Sequence, residues 1–376
     1  MKILFLITRA DHGGAQVAVL DIVKNLPRGY EALVAAGEHG FLEDECKSAG
    51  VRFRYVPGLV QPINPLLDIR ALLELRSLIR EEEPDLIHSH TSKAGILGRL
   101  IAWLTNVPSV FTAHTWSFDE GVPRIQQLLS IPLERLAGRL QGKIITVSDA
   151  NTRKALACSV ASPDKLVRIW NGIPDSNLRA TPGTQEIVTI ISVARMVPQK
   201  DFFTLLHSVA GMPGNWRLQL VGDGPQRDEL EALASDYNLQ DRVEFLGRRL
   251  DVAALLANAD IFVLSSKWEG LPISILEAMR AGLPVVASNV GGVRESVING
   301  VNGFITRPQD PAELRARIEA LVCNPELLAR MGRAGRKRFE MHFHIDAAIS
   351  KTLDVYASVC AKKSGQLLSV QTEELG

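Results

Sequence analysis

The 376 residues, 46% of them hydrophobic, suffice for two large cores, and 42 Lys and Arg against 42 Asp and Glu leave no basic footprint for nucleic acid. Cys46, Cys158, Cys323 and Cys360 lie far apart with no CxxC pair, which fits a reducing cytoplasm better than a disulfide framework or a zinc site. No run of about 18 apolar residues occurs, which argues against a membrane-spanning helix.

The chain opens on KILFLI, a first strand that meets Thr8-Arg9-Ala10-Asp11 and is too short and wrongly flanked for a signal peptide. Further strands are expected near 31–36, 52–56, 85–88, 108–112 and 143–147. Segments of helical period lie between them, among them LLDIRALLELRSLIREEE, which stops before Pro84. A strand is expected to end around Trp170, after which Gly, Pro, Asn and Ser cluster in NGIPDSNLRATPGTQE and mark a linker. The alternation then restarts with EIVTIISVAR, WRLQLVG, RVEFLG, DIFVLSS and LPVVAS. The expected architecture is α/β, two doubly wound Rossmann-like domains, 1–175 and 176–350, facing across a central cleft. Residues 351–376 are expected to form a helix that crosses back to the first domain and then a frayed tail.

The richest motif is WEGLPISILEAM. A helix starting near Pro272 leaves backbone N–H groups around Gly270, Leu271, Ile273 and Ser274 pointing outward, where the macrodipole favours a diphosphate. Glu277, a turn further on, can accept both hydroxyls of a ribose. Glu269 in the preceding loop is placed to reach a sugar beyond the phosphates. Two carboxylates at a helix start also simply complement its dipole. In SVARMVPQKDFF, Arg195 and Lys200 follow a strand end, where two cations can neutralise a diphosphate leaving group without a metal; as surface charges they would be unremarked. No Asp-x-Asp triplet is present to bridge a metal to a diphosphate.

Gly13 and Gly14 in TRADHGGAQ allow a close backbone approach to an anion, although the loop lacks a full G-x-G-x-x-G fingerprint. Gly222 and Gly224 in VGDGPQ, Gly291 and Gly292 in NVGGVRE, and Arg248 after RVEFLG also sit at strand ends. Glu295 reads as a carboxylate holding its loop. His88 and His90 alternate on one strand end and lack a third metal ligand, so they read as structural. His114 in FTAHTWSF is the better functional candidate. Its neighbours Trp116 and Phe118 offer rings for a sugar or a lipid-linked acceptor, or else pack beneath their loop.

E-x7-E within EGLPISILEAMRAGLPVVAS, together with R-x4-K, resembles the retaining GT-B glycosyltransferases of family four, and the likeness runs along nearly the whole chain. It implies that Glu277 holds the nucleotide ribose, that Glu269 holds the transferred sugar, and that Arg195 and Lys200 stabilise the leaving diphosphate. It also implies that Gly13 and Gly14 approach the donor phosphate, that Gly222, Gly224 and Arg248 surround the nucleotide, and that His114 lies at the cleft mouth. By the same likeness the acceptor hydroxyl attacks from the front face and the leaving phosphate takes its proton, so no protein base, metal or cofactor is expected. UDP is the expected nucleotide. HSHTSKAGILGRL and TAHTWSF resemble bacterial capsule and exopolysaccharide transferases, which implies a glycan or polyprenyl-linked acceptor in cell-surface polysaccharide synthesis.

Residues 122–168 carry eight Lys or Arg against three acids, Glu134, Asp149 and Asp164. RIQQLLSIPLERLAGRL combines leucines with arginines at helical spacing. It reads either as a core helix with a basic outer face or as a surface that lies on anionic lipid. The expected location is accordingly cytoplasmic, with contact at the inner face of the plasma membrane. Two other classes compete: a nucleotide-sugar epimerase, which would need further acid/base carboxylates, and a binding protein that has lost catalysis, which should lack one of Arg195, Lys200, Glu269 or Glu277.

Overall fold

The computed structural model describes residues 1–61 and 64–373, with side chains as far as Ala361. The chain forms two compact units, one of Met1–Gly172 with the segment from Ile345 onward, the other of Ile173–His344. The crossing to the first unit thus begins at Ile345, ahead of the position 351 expected from the sequence.

In the first unit β1 (Lys2–Ile7), β2 (Glu31–Ala36), β3 (Arg52–Tyr55), β4 (Leu86–His90), β5 (Ser109–Ala113), β6 (Lys143–Thr146) and β7 (Leu166–Arg168) form one sheet in the order β3-β2-β1-β4-β5-β6-β7. Every neighbouring pair is parallel. The connecting helices are α1 (Gly14–Lys24), α2 (Phe41–Ser48), α3 (Pro65–Glu82), α4 (Ser92–Thr105), α5 (Arg124–Arg139) and α6 (Asp149–Ala157). Strands covered by helices on both faces need apolar residues on both, hence unbroken runs such as KILFLI, whose last five residues are all buried.

The second unit repeats the plan with β8 (Val188–Val193), β9 (Trp216–Val221), β10 (Val243–Gly247), β11 (Ile261–Leu264), β12 (Val285–Ser288) and β13 (Gly303–Thr306), ordered β10-β9-β8-β11-β12-β13. These strands too are parallel. Around them lie α7 (Phe202–Val209), α8 (Arg227–Asp236), α9 (Val252–Ala257), α10 (Ile273–Ala281), α11 (Val293–Ser296), α12 (Pro311–Val322) and α13 (Pro325–His342). Each sheet reverses its strand order once, at β1/β4 and at β8/β11. Those reversals open a crevice at the carboxyl ends of the strands, where ligands bind in such sheets.

The last helix, α14 (Ile345–Glu373), returns to the first unit and buries Val355, Tyr356 and Val359 in the core under α1 and β1. Its backbone continues through 366–373, where the sequence suggested fraying; residues 374–376 lie outside the described residues. β7 lies where a strand was expected to end near Trp170, whereas β13 was not anticipated: it is four residues long and begins on a glycine, so it carries neither a period-2 nor a long apolar signal.

Candidate functional site

At the β8/β11 reversal, the loop after β8 delivers Lys200 and the loop after β11 delivers Glu269. The Lys200 ammonium donates to Oε1 of Glu269, and the Ser266 hydroxyl donates to the same oxygen at 2.7 Å. Glu269 is 6% exposed and Lys200 19%. A buried carboxylate needs such partners, because an unpaired one costs several kcal/mol. The remaining contacts keep the two loops together. Gln199 donates its side-chain amide to the Trp268 carbonyl at 2.9 Å, and the Lys267 amide donates to the Gln199 carbonyl at 2.8 Å. Ser265 donates to the carbonyls of Lys200 and Asp201, at 3.1 and 2.9 Å.

Asp201 sits in the left-handed region at φ 50°, which costs a residue with a side chain about 1 kcal/mol or more. Its buried carboxylate compensates, accepting from the Thr204 hydroxyl at 2.7 Å and facing the Lys267 ammonium at 3.7 Å. Ser266, Gln199, Asp201 and Lys267 were not singled out from the sequence. Only the adjacency of β8 and β11 shows their use.

α10 starts at Ile273 behind an N-cap Pro272 that provides no side-chain cap. Its first-turn amides therefore depend on partners from outside the helix. Glu277 lies in the second turn, partly open to solvent but walled by protein. Burial raises its carboxyl above the usual range, against the pull of the Arg280 guanidinium. Gly291, at φ 49°, lets the loop after β12 cross behind Glu269; a Cβ there would stand 1.8 Å from the Glu269 carbonyl oxygen. Gly292 donates its amide to the Gly270 carbonyl at 2.7 Å. Gly222, at φ 131°, lies against the Ala194 carbonyl, so the loops after β8 and β9 also nest closely, with Gly224 beside Met196. Arg195 and Arg248 are exposed at the ends of β8 and β10. The backbone carbonyl of Glu295 accepts from the Arg338 guanidinium at 2.5 Å.

In the first unit, Gly13 caps α1 in an extended conformation, and a Cβ on Gly14 would meet nothing within 4 Å. The local fold therefore does not demand glycine at 14. Across the β1/β4 reversal the hydroxyls of Thr8 and Thr91 meet at 3.1 Å, with Thr91 held at φ 71°.

His114 follows β5, and its ring packs beside His90 of β4, with Nε2 3.0 Å from His90 Nδ1. Its backbone is held by Asn151, whose side-chain amide donates to the carbonyls of Ala113 and His114, each at 3.2 Å. Burial pushes the His114 imidazole down to about 4, and it pushes His88 down to about 3 with help from His114. Both rings are neutral near neutral pH. His88 is fully satisfied, by the Tyr356 hydroxyl at 2.6 Å and the Thr112 hydroxyl at 2.7 Å. His90 is not, since its Nε2 is buried with no hydrogen-bond partner. Trp116 and Phe118 stack on each other at 5.3 Å and are buried with Phe111 and Ile144. Of the two uses open to them in the sequence they have the packing one, and Trp116 spends its indole N–H on the Asn151 carbonyl.

α5 inverts the usual arrangement of an amphipathic helix. It buries Ser130, Glu134, Ala137 and Gly138 and exposes Ile125, Leu128, Leu129 and Leu136, the first two by 75% and 72%. Glu134 reaches inward to the Arg99 guanidinium of α4 at 2.5 Å. A surface depression of about 450 Å³ against the first turns of α13 is lined by residues of that helix and its cap. Among the described residues no group of three or more His, Cys, Asp or Glu is arranged to hold a metal ion. No helix among them is long and apolar enough to cross a membrane.

Comparison with known proteins places this geometry in context. Residues 12–177 match the family model "Glycosyltransferase Family 4", and residues 178–338 match "Glycosyl transferases group 1". The chain is 29% identical to the Escherichia coli UDP-Gal:alpha-D-GlcNAc-diphosphoundecaprenol alpha-1,3-galactosyltransferase, over 85% of its own length and 89% of the relative's. It is 27% identical to the putative glycosyltransferase EpsD of Bacillus subtilis, over 81% and 84%. Among solved structures, Anabaena HepE in complex with UDP and glucose superposes with a TM-score of 0.84 at 25% identity, covering 95% of this chain and all of that one. Two parallel, doubly wound units and two family models that together run from residue 12 to residue 338 lead to one assignment: the chain belongs to the GT-B glycosyltransferases of the family-four type.

Proposed function

We propose that this glycosyltransferase is retaining and metal-independent, and that it moves a sugar from a UDP-sugar to a glycan or lipid-linked acceptor in cell-surface polysaccharide synthesis. The observation that carries the reading is the Lys200–Glu269–Ser266 cluster at the β8/β11 reversal, directly before the uncapped start of α10. The backbone amides of Gly270, Ile273 and Ser274 at the start of α10 receive the diphosphate, and Glu277 receives the ribose hydroxyls. Arg195 and Lys200 supply positive charge as the leaving phosphate gains negative charge, which is the work a divalent ion would otherwise do. Glu269, released from Lys200 as the diphosphate draws the ammonium away, accepts from hydroxyls of the transferred sugar. Gly13 and Gly14 approach the phosphate, Gly222, Gly224 and Arg248 frame the nucleotide, and His114 addresses the sugar.

The UDP and lipid-linked parts of this reading draw support from the Escherichia coli relative, named for UDP-Gal and a diphosphoundecaprenol acceptor, and from HepE with UDP and glucose. A thermal-shift panel of UDP-, GDP- and ADP-sugars in EDTA tests it. A UDP-sugar present at 100 times its Kd should stabilise the protein by about 2.7 kcal/mol. Stabilisation by a GDP- or ADP-sugar alone would overturn the choice of nucleotide. An anomer-inverted product would overturn retention, and transfer abolished by EDTA would overturn metal independence.

The inverted face of α5 supports contact with anionic lipid at the inner face of the plasma membrane. Its exposed leucines stand beside Arg124, Arg135 and Arg139, and exposed Trp103 and Leu104 end the neighbouring α4. Apolar side chains with basic flanks and a tryptophan suit the lipid headgroup boundary. Sedimentation with phosphatidylglycerol vesicles at low salt should capture the protein, and Leu128→Ser with Leu129→Ser should lower that binding about tenfold or more. Equal sedimentation of both forms, or none of the parent, removes the membrane role.

A further inference from the structure

We propose that His90 is a positioning residue that holds His114 as the neutral tautomer protonated on Nδ1, so that His114 offers a ligand oxygen a hydrogen-bond donor and not a base. That the ligand is a sugar hydroxyl of the donor rests on the glycosyltransferase reading given above. The inference starts from the contact between His90 Nδ1 and His114 Nε2, which at 3.0 Å holds a single shared proton. Two arrangements exist. If His114 donates, then neutral His90 must carry its own proton on Nε2. That nitrogen is buried and has no partner.

The surroundings offer it no acceptor. His88, whose ring lies 4.2 Å from that of His90, already commits one nitrogen to Tyr356 and the other to Thr112. The Phe5 ring, at 6.1 Å, accepts no conventional hydrogen bond, and the His114 ring meets Nδ1 of His90. An orphaned N–H is rarer in folded proteins than an under-used acceptor, so the second arrangement prevails. His90 donates from Nδ1, keeps a bare lone pair on its buried Nε2, and leaves His114 Nε2 as acceptor. The proton of His114 is then on Nδ1, which makes no hydrogen bond among the described residues. Burial supports a neutral pair, since it holds His90 well below and His114 at about 4 in protonation range.

A base at this position would need a lone pair facing the ligand, and the only lone pair of His114 is turned inward to His90. His114 therefore acts by donating. Its ring cannot turn over without breaking the contact with His90, so the donor is aimed before any ligand arrives.

Nitrogen-15 NMR of histidine-labelled protein tests this with no substrate present. The expected spectrum shows His114 Nδ1 protonated and Nε2 bare. His90→Asn places an amide N–H where Nδ1–H was and should preserve that spectrum. His90→Phe fills the space without a donor and should shift His114 toward the Nε2–H form. In calorimetry with UDP-glucose, UDP-galactose and UDP, H90F should weaken the better-bound sugar nucleotide about tenfold with UDP unchanged, and H90N should stay within about threefold. The proposal is overturned if wild-type His114 is protonated on Nε2, if H90F leaves its tautomer unchanged, or if a folded H90N loses as much affinity as H90F. Failure of every UDP ligand to bind would instead overturn the substrate reading, while the spectrum still decides the tautomer.

Discussion

Lys200→Ala is expected to lower the turnover of sugar transfer by about 10²–10³-fold while leaving the protein folded. The lysine stands at the strand reversal, with 19% of its side chain exposed, and its loop is fastened by Ser265 and Asp201 through contacts that do not involve the ammonium. Removing the ammonium thus deletes a charge while the loop keeps its backbone ties, and Glu269, left with the Ser266 hydroxyl, takes some stability with it. Glu269→Ala should produce a loss of similar size for a different reason, since Glu269 is assigned to the sugar and Lys200 to the leaving phosphate. The double variant separates the two accounts. If the residues act in separate subsites, their losses multiply; if each serves only to hold the other, the double variant is no worse than either single one. Initial rates of nucleotide release with a UDP-sugar measure all three. Wild-type rates in both single variants, with melting unchanged, would remove the mechanism.

The second large effect falls on stability. Arg99 and Glu134 are 3% and 0% exposed and meet at 2.5 Å, with the arginine also stacked 4.6 Å from the Phe111 ring centroid and bonded through Nε to the Gly95 carbonyl. Arg99→Met leaves the Glu134 carboxylate buried without its counter-ion, and the expected loss is about 3–5 kcal/mol. Replacing both, as Arg99→Met with Glu134→Leu, should recover most of it, because Arg99 Nη1 is itself buried without a partner and the native pair is incompletely satisfied. Urea unfolding of the parent and the two variants reads this directly. A single variant as stable as the parent would mean that Glu134 is not ionised in the fold. The pair joins α4 to α5, so the single variant should also loosen the helix that carries the exposed leucines, and the double variant should hold it in place.

Much of this architecture was legible from the residues because parallel sheets covered on both faces write themselves as unbroken apolar runs, and KILFLI and DIFVLSS are such runs. Short strands escape that logic. β13 is four residues that begin on a glycine, and its identity depends on pairing with β12 rather than on its own composition. In the site, Glu269, Glu277 and the helix start were readable because they are close in sequence and their chemistry follows from a helix geometry. Lys200 was singled out beside Arg195, but its pairing with Glu269 was not: the two are 69 positions apart, and only the strand order β8-β11 brings them into contact. The two aromatic residues after His114 were ambiguous because a ring over a sugar and a ring under a loop look alike in one dimension. The direction of α5 was hidden for a similar reason. A periodic pattern reports that a helix has an apolar side, while a buried glutamate with a distant arginine decides which side faces in.

The return of α14 to the first unit has a consequence for synthesis of the chain. Residues 173–344 are contiguous and can complete their own sheet as soon as they leave the ribosome, but the first unit, though begun earlier, lacks Val355, Tyr356 and Val359 until the whole second unit has been made. Until then the His88 ring has no phenol to bond, and the apolar bed under α1 is open to water or to a chaperone. Of the two units, the one begun first is therefore the one that matures last.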